Sequence, residues 1–231
     1  MDKAKRETRW GLLAIPQYRR KEFDQLVPKL NFEIVELEIF AIEENIQSVM
    51  NAMTVSFEFN LKTLKHALNY GFYGDYSGFL SSNLDGKQTF DRSVFSEAIE
   101  ALYYMNKLIE VFGADYEVES SLSIIAILNA VSARSVLDRH KIDGLPGAHL
   151  SIQEIALLAR MKGASVRNAA APSGTTPLET RKHEDGLTIV VPEEAERWLN
   201  NRRGFQATTL PSTEEERKEL YEALDTWALT S

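Results

Sequence analysis

Apolar residues recur every three or four positions through most of the first 145 residues, a period that predicts helices. Val35, Ile39, Ile42, Ile46, Val49 and Met53 follow at spacings of 4, 3, 4, 3 and 4, so a segment that alternates like a strand at Phe32 reads as a helix. A shorter helical pattern spans residues 61–70. Gly71, Gly74 and Gly78 then punctuate an aromatic loop from Gly71 to Phe79, and Asp85-Gly86 marks a turn. Helix resumes from about Ser93 to Val111, with Ala98, Leu102, Met105 and Ile109 on one face and Gly113 closing it. The next helix, about Glu117 to Arg139, mixes small Ala126, Ala130, Ser132 and Ala133 with Leu122, Ile125 and Leu128. Small residues there permit close helix packing.

The Gly/Pro cluster Gly144-Leu145-Pro146-Gly147 separates long helical patterns and predicts a domain boundary. Local signals sharpen beyond it. Ser151 and Glu154 have the spacing of a capping box, and Leu150 and Ile155 that of a hydrophobic staple, so a helix opens at Ile152. Its buried stripe is Ile152, Ile155, Ala156 and Ala159, and it stops near Arg160 or Met161, before Lys162-Gly163. A second short helix, about Ala164 to Ala171, ends before Pro172. Two strands follow, around Leu178 to His183 and Leu187 to Val191, joined at Asp185-Gly186 as a hairpin. Pro192 suits the first position of a further helix, and Glu193 and Glu194 suit its positive end. Ser212 and Glu215 form a second capping-box pattern, opening a helix with Leu220, Leu224 and Trp227 on one side.

The 231 residues are 44% apolar and 26% charged, a composition that supports packed cores and excludes a disordered chain. There is no cysteine, which removes disulfides, thiolate metal sites and cysteine nucleophiles. No apolar run reaches the roughly 18 residues of a membrane span. The charged start from Met1 to Arg9, followed by a short apolar stretch ending at Pro16, does not read as a signal peptide, so a cytoplasmic protein is expected. Formal net charge is −8, which disfavours nonspecific contact with a phosphate backbone. Residues 150–205 escape that acidity, with eight Lys/Arg against seven Asp/Glu.

Two helices joined by a tight turn, with Ala156, Met161 and Val166 at the packing positions, have helix-turn-helix spacing. With the hairpin behind them and the closing helix Glu194-Ala195-Glu196-Arg197-Trp198-Leu199, residues 148–205 resemble the winged helix-turn-helix of MerR-type regulators and phage excisionases. Where those families commonly place glycine, four residues after the alanine, this chain has Arg160, and the connection from Ala171 to Leu178 is longer than an excisionase-like wing needs. The resemblance implies a mainly α protein: a helical dimerisation or effector domain over residues 1–145, a winged helix-turn-helix with a small β-hairpin over 146–210, and a C-terminal helix over 211–231. It implies a sequence-specific transcriptional regulator bound to double-stranded DNA as a homodimer, without a cofactor.

The side chains agree with this chemistry. With Val166 and Ala169 inward, Ser165, Arg167, Asn168 and Ala171 point outward, and Arg and Asn match guanine and adenine edges bidentately in a major groove. Ser151 and Gln153 stand beside unpaired backbone N–H groups that suit a phosphate. Arg181, Lys182 and His183 would charge the wing, while Lys162, Arg202 and Arg203 would add backbone contacts. The test is electrostatic: Lys162, Arg167, Arg181 and Lys182 should share one face, not neutralised by Glu179, Glu184 and Asp185.

Other readings stand beside it. The helix pair could be a packing unit in a protein–protein interaction module that never touches DNA, which the acidic total favours. The Val35 to Met53 stripe could be a dimer seam or interior packing, and the Leu220, Leu224, Trp227 stripe could dock or exchange between subunits. Catalysis has little support: His66, His140, His149 and His183 lie in separate segments without metal-ligand spacing, and no nucleotide-binding glycine motif occurs. The aromatic loop from Gly71 to Phe79 is the one stretch that could line a pocket for an enzyme's substrate or a small-molecule effector.

Overall fold

The computed structural model describes residues 15, 17–40, 61–82, 88–91, 93–96, 98, 100, 121–144, 147–171, 177–184 and 186–230. The chain is mainly helical, with one antiparallel sheet of two strands and one of three. A helical turn at Gln17–Arg19 leads into α1 (Arg20–Leu26), a second turn at Val27–Lys29 and α2 (residues 32–40). Val35 and Ile39 are both fully buried, so this part of the stripe packs inside its own chain. Ile42, Ile46, Val49 and Met53 lie outside the described residues.

Helix α3 (Leu61–Tyr73) runs through Gly71, where a break is expected. The reason is tertiary. A Cβ on Gly71 would lie 3.0 Å from Val131 N and 3.1 Å from Ala130 Cβ, so the glycine permits a close crossing with α4 (Leu122–Asp143). Gly74, at φ +65°, follows the end of α3, and its N–H donates to Tyr70 O at 3.0 Å. Phe72 and Phe79 are buried, and Phe79 packs edge-on against Tyr70 and Phe95 with centroids 6.4 and 5.0 Å apart. The aromatic loop is thus a packed turn, continued by β1 (Leu80–Ser82), which pairs antiparallel with β2 (Gln88–Phe90). The turn expected at Asp85-Gly86 lies outside the described residues. The next helical turn starts at Ser93, where Asp91 Oδ1 accepts from the backbone N–H of Ser93 and Val94. Ala98 is buried, and Leu102, Met105, Ile109 and Gly113 are not described.

Helix α4 starts and ends later than the apolar pattern predicts. Ser121 Oγ accepts from Ile124 N at 3.1 Å to cap the start, and Gly144, left-handed at φ +58°, caps the end. It serves two cores. Leu122 to Val131 join Phe23, Leu68, Phe79 and Phe95 in one, while Ala133 and Leu137 join Leu150, Ile155, Val166, Val190 and Trp198 in the other.

The second core is enclosed by β3 (Leu150–Ser151), α5 (Ile152–Leu158), α6 (Gly163–Ala169), β4 (Arg181–Lys182), β5 (Thr188–Val190) and α7 (Pro192–Leu199). The hairpin forms, but β4 is shorter than expected. Leu178 is buried, and its N–H donates to Ala169 O at 2.9 Å, so it plugs the core instead of extending the strand. A third strand, absent from the hydrophobic pattern, comes from the segment before α5: Leu150 pairs with Val190 and Ser151 with Ile189, giving the order β3-β5-β4. Two residues carry too little alternation to announce a strand. Finally α8 (Glu214–Thr230) begins one residue later than the Ser212–Glu215 spacing predicts, because Thr213 Oγ1, not Ser212, accepts from the N-terminal turn, at Glu216 N (3.3 Å). Leu220 and Leu224 dock into the first core, and the Trp227 side chain is not described. Among the described residues no helix is long and apolar enough to cross a membrane.

Candidate nucleic-acid interface

The entry to α5 is built as its sequence dictates. Ser151 Oγ accepts from Glu154 N at 3.2 Å, and the Glu154 carboxylate accepts from Ser151 N at 2.6 Å, satisfying two helix-end donors reciprocally. The Ser151 hydroxyl is therefore engaged in the cap. The helix ends at Leu158, slightly earlier than expected, because Arg160 takes a left-handed conformation at φ +53° and turns the chain. Met161 N then donates to Ala156 O at 2.9 Å, and Ala156 and Val166 are both fully buried where the two helices cross.

Helix α6 opens at Gly163, one residue before the expected start, with Lys162 extended ahead of it, and it closes before Ala171. Its outer face carries exposed Ser165, Arg167 and Asn168, with Lys162 and Ala164 exposed beside them; Ala169 and Ala171 are half-buried. The N-terminal ends of α5 and α6 converge. A Cβ placed on Gly163 would lie 3.2 Å from Gln153 Oε1, 3.4 Å from Arg167 Nη1 and 3.4 Å from Asp24 Oδ1. Asp24, from α1, accepts a long hydrogen bond from Gly163 N at 3.4 Å. No local sequence signal singles out Asp24, since its neighbour lies 139 residues away.

On the hairpin Arg181 and Lys182 are exposed, and Lys182 Nζ donates to Thr188 Oγ1 at 2.8 Å. His183 is half-buried, its ring 5.0 Å from that of His149. Among the described residues no carboxylate pairs with Lys162, Arg167, Arg181 or Lys182; Glu179 and Glu184 are exposed, and Asp185 is not described. The segment entering the hairpin is pinned instead through Glu194, which accepts from Glu179 N at 2.8 Å and from the Arg197 guanidinium. The Arg197 hydrogen bond holds the Glu194 carboxyl below its usual range against the opposing effect of burial. An open groove of about 430 Å³ lies between Arg181, Val191, Glu193 and Arg197.

Of the two arginines beyond α7, Arg203 is exposed. Arg202 lies over the Trp198 ring at 3.9 Å, so its guanidinium stacks on the protein. The structure thus gathers Gln153, Lys162, Ser165, Arg167 and Asn168 around one helix pair and sets Arg181, Lys182 and His183 on the hairpin.

A buried polar cluster escapes the sequence reading. Asp138 Oδ2 accepts from Tyr70 Oη at 3.0 Å and from Thr208 Oγ1 at 2.9 Å. Arg134 Nη1 donates to Gln206 O at 2.7 Å, and its guanidinium lies over the Phe205 ring. Burial pushes the Asp138 carboxyl up to about 6, although Arg134, Thr208 and Tyr70 all pull it down. The cluster ties α3 and α4 to the strap between α7 and α8. Its one sequence trace is a pair of opposite charges, Arg134 and Asp138, four residues apart, where the uncharged stretch from Leu122 to Ala133 ends. Compared with protein-family models, curated proteins and solved structures, the chain matches none of them.

Proposed function

We propose that this chain is a sequence-specific, double-stranded-DNA-binding transcriptional regulator that reads the major groove with α6, within a winged helix-turn-helix over about residues 146–210. The observation that carries the reading is the outer face of α6: Ser165, Arg167 and Asn168 are exposed on the second helix of a pair locked by Ala156 and Val166. Arg and Asn have the donor geometry to read guanine and adenine edges. The strand order β3-β5-β4 supports a wing behind that pair, with Arg181 and Lys182 facing the backbone. Two subunits reading paired half-sites would give the homodimer, leaving residues 1–145 for self-association or effector binding. No catalytic role is proposed, and the setting is cytoplasmic.

The test is selection of bound fragments from random duplex DNA, then mobility shifts of the full chain on the selected sequence. Affinity should fall steeply with salt. Arg167→Ala should weaken binding by about 1–3 kcal/mol and relax preference at one base position. Absent or salt-independent binding overturns the proposal. It would favour a protein-interaction module instead, a reading supported by the exposed Leu37 and Phe40 on α2 and by the net charge of −8.

A further inference from the structure

Arg160 is the one described residue other than glycine with a positive φ, at +53°. A left-handed backbone is strained for an L-residue with a side chain, and glycine would form the same turn without that strain. The side chain reaches out of its own core. Arg160 Nη1 donates to Tyr73 Oη at 3.1 Å, Nη2 donates to Leu30 O at 2.8 Å, and the guanidinium lies 5.1 Å from the Tyr73 ring centroid. Tyr73 ends α3, and Leu30 follows the turn after α1, so one guanidinium grips two separate elements of the N-terminal half. Beneath it the turn is closely backed, since a Cβ on Gly204 would collide with Ala159 O and lie 3.1 Å from Arg160 Cβ. The bond from Gly163 N to Asp24 joins the other end of the same turn to α1.

We infer that Arg160 is the joint through which the N-terminal half sets the position of α6: a positioning residue whose planar fork holds the helix pair in register with Tyr73 and Leu30. A fork is needed because the two acceptors lie on different elements, and a lysine ammonium lacks that fixed planar geometry. Displacement of Tyr73 relative to Leu30 would be passed to the turn and on to Gly163, three residues after Arg160. The consequence for base reading rests on the DNA proposal above; the joint itself does not.

Amide hydrogen exchange of the full chain without DNA tests it. Arg160→Gly should reduce protection of residues 161–169 at least tenfold and leave residues 192–199 in α7 unchanged. Tyr73→Phe, a milder change that keeps the ring, should reduce the same amides about threefold. The double variant should be no worse than Arg160→Gly alone, because both act on one contact. Unchanged protection over 161–169, an equal loss throughout 150–199, or additive effects would each overturn the inference. A chain that passes here yet fails to bind duplex DNA would end the regulator reading and leave the joint standing.

Discussion

Among the described residues, α1 and α3 pack on α4 from the N-terminal region and α5 and α7 pack on it from the region after Gly147, but different interactions organise the two. The first region is held by contacts between elements, such as the ring of Phe79 against Tyr70 and Phe95 and the close crossing of Gly71 on Ala130. The second is held by local devices: a reciprocal cap at Ser151, a left-handed turn at Arg160, a hairpin closed by Gly186 at φ +78°, and Pro192 opening α7. Neighbours in sequence shape the ends of α5 and α6, and a few long-range bonds from Arg160 and Gly163 then tie that helix pair to the N-terminal half. In the first region the contacts between elements form the core itself.

The largest expected effect is at the seam between the two regions. Asp138→Ala would leave the Tyr70 and Thr208 hydroxyls without their acceptor and remove the charge that offsets buried Arg134. Urea denaturation should show a loss of about 3–5 kcal/mol, with the strap carrying Thr208 exchanging faster. The same carboxyl gives a pH signature. Because burial raises it from 3.8 to about 6, the folded chain binds a proton more tightly than the unfolded chain does. The stability from this group is therefore fully present below about pH 4 and is lost as pH rises through about 6. Asp138→Asn should gain on the unsubstituted chain by on the order of 1–3 kcal/mol between pH 4 and pH 7. Glu22 and Glu194, lowered chiefly by hydrogen bonds from Arg19 and Arg197, act in the opposite sense, and their contribution cancels between the two proteins.

A smaller break is Gly204→Ala, which forces a methyl against the Ala159 carbonyl beneath the helix pair. It should cost about 1–3 kcal/mol by overpacking, read as a lower urea midpoint with little change in helical content. The smallest is Ser151→Ala, which removes one half of the reciprocal cap and should cost about 1 kcal/mol. If that loss appears as local fraying of α5 while the Asp138→Ala loss is global, the contrast between the regions is sharpened. Equal global losses would erase it.

Legibility followed the same division. The cap at Ser151, the helix pair with buried Ala156 and Val166, the hairpin and the proline-opened α7 are short-range patterns, readable because each depends on residues a few positions apart. The boundaries that shifted did so for non-local reasons. Gly71 stays helical because α4 crosses there, Leu178 leaves the strand to fill the core, and two residues before α5 become a strand because β5 offers an edge. Within the candidate interface, the outward face of α6 followed from its period. Asp24 beside Gly163 and the reach of Arg160 to Tyr73 and Leu30 did not, since they join residues far apart in the chain.

Among the described residues, sequence alone determined most of the helical segments and the cap at Ser151, the turn at Arg160 to Met161 and the hairpin, because those preferences act over one or two turns of backbone. Only the tertiary structure decided that α4 serves both cores, that Asp138 is buried among Tyr70, Thr208 and Arg134, and that Arg160 reaches Tyr73 and Leu30. Contacts across tens of residues depend on which surfaces meet after the chain collapses, and the hydrophobic period specifies a face without naming its partner.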